Sequence, residues 1–238
     1  MSKLPVKIYS AKKVAKLGYG AWIKDFKASK GLAMQLTRRD IKAQYRQSLL
    51  GVFWAFFIPL FNSMTWIFLQ MTGIIKLADT DIPYPLYVFI GTMLWQIFTE
   101  SIVSPIQQVN ASKAILSKIN FPREAILLSG IYKVLFNAFI KILILVPVVF
   151  IFGVVPDWTV VLFPFAVLSM VLVGFTIGLW LTPLGTLYSD IGRVIPMVTQ
   201  LLMYLSPVVF MIPTTGISAI IFKWNFITPL LMTARDFL

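Results

Sequence analysis

Five stretches of this chain, near residues 50–73, 84–108, 126–152, 159–187 and 194–213, each run for 20 residues or more. Glu100, Lys133 and Lys141 are the charged residues within them. At 1.5 Å of rise per residue, about 20 apolar residues match the ~30 Å hydrocarbon core of a bilayer. A backbone in hydrocarbon has to satisfy its own hydrogen bonds, and continuous rather than alternating apolar runs select the helix for that purpose. The expected fold class is therefore all-α, a polytopic transmembrane helix bundle with five spans visible. A hydrophobic share of 58% in 238 residues agrees.

Charge sets the expected orientation. Residues 1–46 hold twelve Lys/Arg against Asp25 and Asp40, immediately before the first span. Basic residues next to a span stay on the cytoplasmic side. The loop 109–125 carries Lys113, Lys118 and Arg123 against Glu124, whereas 74–83 has Lys76 against Asp79 and Asp81, and 153–158 has only Asp157. The N-terminus and the loop 109–125 are thus expected inside, with 74–83 and 153–158 outside. Loop 188–193, with Asp190 and Arg193, falls inside by count alone.

Three regions follow. Residues 1–27 form a basic cytoplasmic N-terminus without the apolar core of a cleavable signal. Residues 28–47, ASKGLAMQLTRRDIKAQYRQ, set Leu32, Leu36 and Ile41 against Arg38, Arg39, Lys42 and Arg46. That pattern suits an amphipathic helix in the inner interface, and equally a helix of a small cytoplasmic cap. Residues 48–238 are the membrane domain, closing on TTGISAIIFKWNFITPLLMTARDFL at 214–238, too polar for a span and read as an outer interfacial or re-entrant segment.

Several chemistries are closed off. Without cysteine there is no disulfide or thiolate, and without histidine the commonest general base and metal ligand is missing; no metal site is expected. Nothing matches G-x-x-x-x-G-K-[ST], so an ATP-driven process would take its nucleotide site from another polypeptide. The net charge of +12 is concentrated before the first span, which speaks for anionic lipid rather than nucleic acid.

A charge at the centre of a span costs on the order of 2.5–3.5 kcal/mol, so it needs a reason. Lys133, Asn137 and Lys141 recur every four residues and share one helix face, while Glu100 lies one turn after Gln96 in the preceding span. Two explanations remain open: a wet cavity that touches substrate, or a structural Glu100–Lys pair with Lys133 reaching the surface. Gly174 and Gly178 make a face that permits close helix approach.

Four segments recur in order: RRDIKAQYRQSLLGVFWAFFIPL at 38–60, NASKAILSKINFPREAILLS at 110–129, YSDIGRVIPMVTQLLMYLSPVVFMIP at 188–213 and NFITPLLMTARDF at 225–237. Together they resemble the permease subunits of ABC-2 type exporters of lipid-linked polysaccharides, which include O-antigen, teichoic acid and some capsule exporters. The resemblance implies a homodimer in the bacterial inner (plasma) membrane, working with a separate nucleotide-binding subunit that carries ATP and Mg, and moving a polysaccharide on a lipid carrier. It also implies a sixth span, which is not seen before Leu238, so the chain reads either as a fragment or as one that has lost its last span.

The same resemblance implies a coupling helix at about Ala111–Phe121, closed by Pro122, Arg123 and Glu124. Asn110 or Ser112 can cap such a helix and Pro122 can end it. The residues expected to meet the ATPase are Lys113, Ile115, Leu116, Lys118, Phe121, Pro122, Arg123 and Glu124, although Lys113, Lys118 and Arg123 also satisfy the positive-inside pattern with no partner at all. For a sliding sugar polymer, aromatic rings offer flat, weakly adhesive contact. Phe53, Phe57 and Phe61 with Trp54 are the expected lining, joined by Glu100, Asn137 and Lys141; the same aromatic spacing suits packing against helices or lipid. Arg38, Arg39, Lys42 and Arg46 are placed to meet a lipid pyrophosphate or ordinary headgroups.

Competing readings are a small-molecule ABC-2 exporter, an ion-coupled secondary transporter, and a membrane glycosyl- or phosphotransferase. The second would need deep acidic or histidine residues beyond Glu100, and the third an acidic pair other than the outward Asp79 and Asp81.

Overall fold

The computed structural model describes residues 19–46, 48–73, 82–116, 122–211 and 216–238. Lys118 and Phe121 of the expected coupling segment lie outside the described residues. Eight α-helices follow one another: α1 (Tyr19–Tyr45), α2 (Trp54–Met71), α3 (Tyr84–Leu116), α4 (Arg123–Ile151), α5 (Phe163–Leu187), α6 (Ile191–Tyr204), α7 (Ile217–Trp224) and α8 (Ile227–Asp236). There is no strand among the described residues.

Four helical stretches, Gly51–Met71, Tyr84–Lys113, Arg123–Ile151 and Trp158–Leu187, are long and apolar enough to cross a membrane. The fifth expected span is not one continuous helix. Its helical part, α6, has 14 residues, about 21 Å of rise, and ends at Tyr204. Pro207 lacks a backbone donor, and Ser206–Val209 run on as buried non-helical chain. Irregular backbone at that depth needs partners. It finds them in Arg235 of α8, whose Nη1 donates to Pro207 O at 2.9 Å and Nη2 to Val208 O at 3.1 Å. The guanidinium also lies 3.6 Å from the Tyr87 ring centroid. The segment expected to be re-entrant is thus two short helices, and α8 buries Ile227, Leu231, Ala234 and Arg235 against the start of α3 and against α5.

α3 is the hub, packed on α2, α4 and α5 and buried over most of its length; α2 buries only Pro59 and Ser63. Contact with α5 runs along Gly174, Gly178 and Gly185. A Cβ at Gly174 would stand 2.9 Å from Phe98 O, one at Gly178 would collide with Ile102 O, and one at Gly185 would press on Ile106. Lipid tails are as apolar as leucine, so such close backbone approach, rather than apolar burial as such, holds helices together in hydrocarbon. Cross-helix hydrogen bonds add to it: Ser104 Oγ donates to Gly130 O, and Ser63 and Thr92 pair at 3.1 Å.

α1 begins earlier than the expected 28–47 and lies against α4. Its buried side is Ser29, Ala33, Leu36 and Thr37, a stripe of mostly small residues, with Leu32 and Ile41 half-buried beside it.

Candidate functional site

The carboxylate of Glu100, at the middle of α3, ties two helices together. Asn137 Nδ2 donates to its Oε1, and Lys141 Nζ lies 3.0 Å from its Oε2. Asn137 and Lys141 share a face of α4 because they are four residues apart. Of the two explanations for these charges, the ion pair is present, and Lys141 is neutralised inside the protein. Lys133, two turns earlier, is half-buried and makes no ion pair among the described residues.

The pair nonetheless borders open space. A cavity of about 410 Å³ between α2, α3 and α6 is lined by Asn62, Thr92, Gln96, Thr99, Glu100, Gln107, Lys141, Thr199 and Gln200 among apolar neighbours. A smaller one of about 170 Å³ reaches Glu100, Asn137 and Lys141 from Gln44, Tyr45, Trp54 and Ile58. Thr92, Gln96, Thr99 and Gln107 recur at helical spacing along one side of α3, so the groove has a polar wall inside an apolar bundle. Gln96 Nε2, Thr99 Oγ1 and Asn137 Oδ1 are buried with no partner among the described residues. Buried polar groups in hydrocarbon cost several kcal/mol each when left unpaired, so this wall is unlike the apolar surface around it. Tyr45 stays a neutral phenol: burial raises its pKa above the ordinary value, and the negative charge of Glu100 raises it further.

Sequence reading singled out Gln96 and Glu100 on this wall and missed the rest. The signal was there in the spacing of Thr92, Gln96, Thr99 and Gln107, but isolated Thr and Gln in a long apolar run look like tolerated substitutions until α6 is placed opposite them.

Of the aromatic residues, Trp54, Phe57 and Phe61 lie on α2 and Phe53 in the 3-10 turn just before it. Phe57 stacks on Phe61 with centroids 6.1 Å apart and meets Trp54 edge-on at 6.5 Å. Phe53, Trp54 and Phe61 are 69%, 46% and 58% exposed, with Phe57 half-buried between them, so most of the stripe's surface stays open. Trp54 and Ile58 connect the stripe to the polar groove.

At one end of the bundle α3, α4 and α5 meet. Of the segment expected to form a coupling helix at about Ala111–Phe121, residues 117–121 lie outside the described residues. Residues 111–116 continue α3, because nothing after Pro105 breaks it and Asn110 does not cap: its Nδ2 donates across the bundle to Gly185 O at 3.2 Å. Lys113 Nζ likewise donates to Thr186 O at 2.8 Å, a cation on the closing carbonyls of α5. Pro122, extended at φ −65° and ψ 118°, starts α4, with exposed Arg123 and half-buried Glu124 in its first turn. Lys113, Leu116 and Arg123 line a cleft of about 500 Å³ with Leu127, Thr182 and Thr186. Ile115 lies in α3.

On α1, Arg38, Arg39 and Lys42 are exposed, as is Arg46 just past its end. Arg39 pairs with its neighbour Asp40 at 2.8 Å, leaving Arg38, Lys42 and Arg46 without an ion pair among the described residues.

Long apolar helices around a polar groove define a multi-pass membrane protein of the transporter kind. A family model of ABC-2 type transporters matches residues 32–237, nearly the whole described bundle, and the chain belongs to that family. Among similar proteins, the O-antigen export system permease protein RfbA of Myxococcus xanthus is 25% identical over 186 residues, covering 78% of this chain and 70% of its own length. Two proteins of the same name from Klebsiella pneumoniae are 26% identical over 214 residues and 27% identical over 185 residues. They cover 86% and 75% of this chain, and 79% and 68% of their own lengths.

Proposed function

We propose that this chain is the membrane-spanning permease subunit of an ATP-driven exporter that moves a lipid-linked polysaccharide, O-antigen or a similar surface polymer, across the bacterial inner membrane. The observation that carries this reading is the pairing of an exposed aromatic stripe on α2 with a polar groove beside it in an otherwise apolar bundle. Sugar rings offer both C–H faces and hydroxyls; the stripe suits the faces and the amides and hydroxyls of α3 suit the rest. The names of the relatives support the same substrate class.

In this reading the chain is not catalytic by itself. ATP and Mg sit on a separate nucleotide-binding subunit, and two copies of the permease face each other across their α2 stripes. The N-terminus and the end of the bundle holding Lys113 and Arg123 are cytoplasmic, and the cleft there takes a protruding element of the ATPase. Lys118, Phe121, Pro122 and Glu124 complete that contact, and Arg46, exposed just past α1, meets the carrier's pyrophosphate as it arrives.

The test is co-expression with the partner ATPase. Replacing Lys118, Phe121 and Arg123 together should abolish polymer export and substrate-linked ATP turnover. Wild-type assembly and export in that triple variant would sink the coupling assignment.

A further inference from the structure

Between α1 and α4 lies a groove that shares no lining residue with the Glu100 network. Met34, Thr37, Arg38, Ile41 and Lys42 line it from α1, and Tyr132, Leu135 and Phe136 from α4, around a cavity of about 470 Å³. Positions 34, 37, 38, 41 and 42 form one helical stripe. The lining is almost wholly apolar apart from Arg38 and Lys42, which are exposed and take part in no ion pair among the described residues. The apolar floor does not end at the cavity. It continues along α4 through Phe136, Phe139 and Leu143, which are 37%, 61% and 62% exposed.

We propose that this groove holds one anionic phospholipid drawn from the surrounding leaflet, its phosphate between Arg38 and Lys42 and an acyl chain along Met34, Ile41, Leu135 and Phe136. The inference rests on reading α1 as a helix at the membrane surface. Charge complementarity selects the headgroup: two cations without carboxylates suit a net negative phosphate, and they give a zwitterionic lipid's ammonium no acceptor. Continuity selects the body. A free phosphate would use the cations and leave the apolar floor idle, whereas an acyl chain follows the floor into the exposed stripe of α4, already in hydrocarbon. A bound lipid would fasten the basic helix to α4 and so hold Tyr45 against the Glu100 network.

The test uses the full chain purified from nanodiscs of phosphatidylcholine with a minority of phosphatidylglycerol, read by native mass spectrometry. One phosphatidylglycerol per chain should survive. The Arg38→Gln, Lys42→Gln double variant should reduce retention roughly tenfold or more. Met34→Trp, which fills the groove and keeps every charge, should reduce it as strongly, while Arg38→Lys with unchanged helicity should retain it. Equal retention of phosphatidylcholine, displacement by inorganic phosphate, occupancy by a polyprenyl pyrophosphate in its place, or full retention by Met34→Trp each overturns the proposal. The readout is lipid mass, so failure of the export reading would leave it intact, and the reverse.

Discussion

Glu100 is the residue on which the polar interior turns, because it accepts from Asn137 and pairs with Lys141 at once. Removing one member of a buried pair leaves the other charge uncompensated, a loss of about 3–5 kcal/mol in a fully enclosed site. Glu100 keeps 30% of its side chain exposed, so Glu100→Ala is expected to destabilise the protein by a discounted ~1–3 kcal/mol. Adding Lys141→Met should recover a good part of that, a coupling that a double-mutant cycle of thermal unfolding in detergent measures. Additive losses would mean that the pair holds nothing together. Arg235 is the second such residue. Arg235→Gln strips two carbonyls of the broken backbone after α6 of their donor, and a loss of about 2–4 kcal/mol is expected. Arg235→Lys should rescue little, since a lysine has neither the planar fork that reaches Pro207 O and Val208 O nor the flat face that lies on Tyr87. Limited proteolysis around residues 204–211 reports it: early cleavage in both variants is the expected result.

At the scale of elements, the sequence was most legible where one physical rule decides alone. Hydrocarbon thickness fixes helix length, so four spans were evident from apolar runs, and the small face of Gly174 and Gly178 pointed to the close α3–α5 contact. Gly178→Leu should therefore force α5 away from the Ile102 carbonyl and cost about 1–3 kcal/mol, with Gly192→Leu, where a Cβ meets nothing, as the neutral control. A similar melting temperature for both would remove the close-packing argument. Elements decided by distant partners were not legible. The end of α6 depends on Arg235, 28 residues past Pro207, and a local apolar pattern continues through it unbroken. The run of α3 to Leu116 depends on Asn110 and Lys113 finding carbonyls on α5, whereas locally Asn110 reads as a cap. On α1 the eye follows Leu32, Leu36 and Ile41, of which only Leu36 is buried, while the small residues Ser29, Ala33 and Thr37 complete the buried side.

For the whole molecule, everything functional depends on which end faces the cytoplasm. The ion-pairing groups and the aromatic stripe keep their geometry in either orientation; the cleft of Lys113 and Arg123 can meet a cytosolic ATPase in only one. The chain contains no cysteine, so single introduced thiols can be mapped without removing any native one. Arg123 and Asp157 are exposed and flank opposite ends of α4, a helix of 29 residues, about 43 Å of rise and enough to separate them across the bilayer. In spheroplasts, Asp157→Cys is expected to react with a membrane-impermeant maleimide directly. Arg123→Cys is expected to react only after the membrane is opened. Twelve basic residues before α2 favour this arrangement energetically, since each Lys or Arg near an anionic inner surface contributes on the order of 1 kcal/mol. Labelling of Arg123→Cys from outside would put the cleft beyond the reach of any cytosolic motor, and ATP coupling through α3 and α4 would have to be abandoned while the polar groove and its chemistry stood.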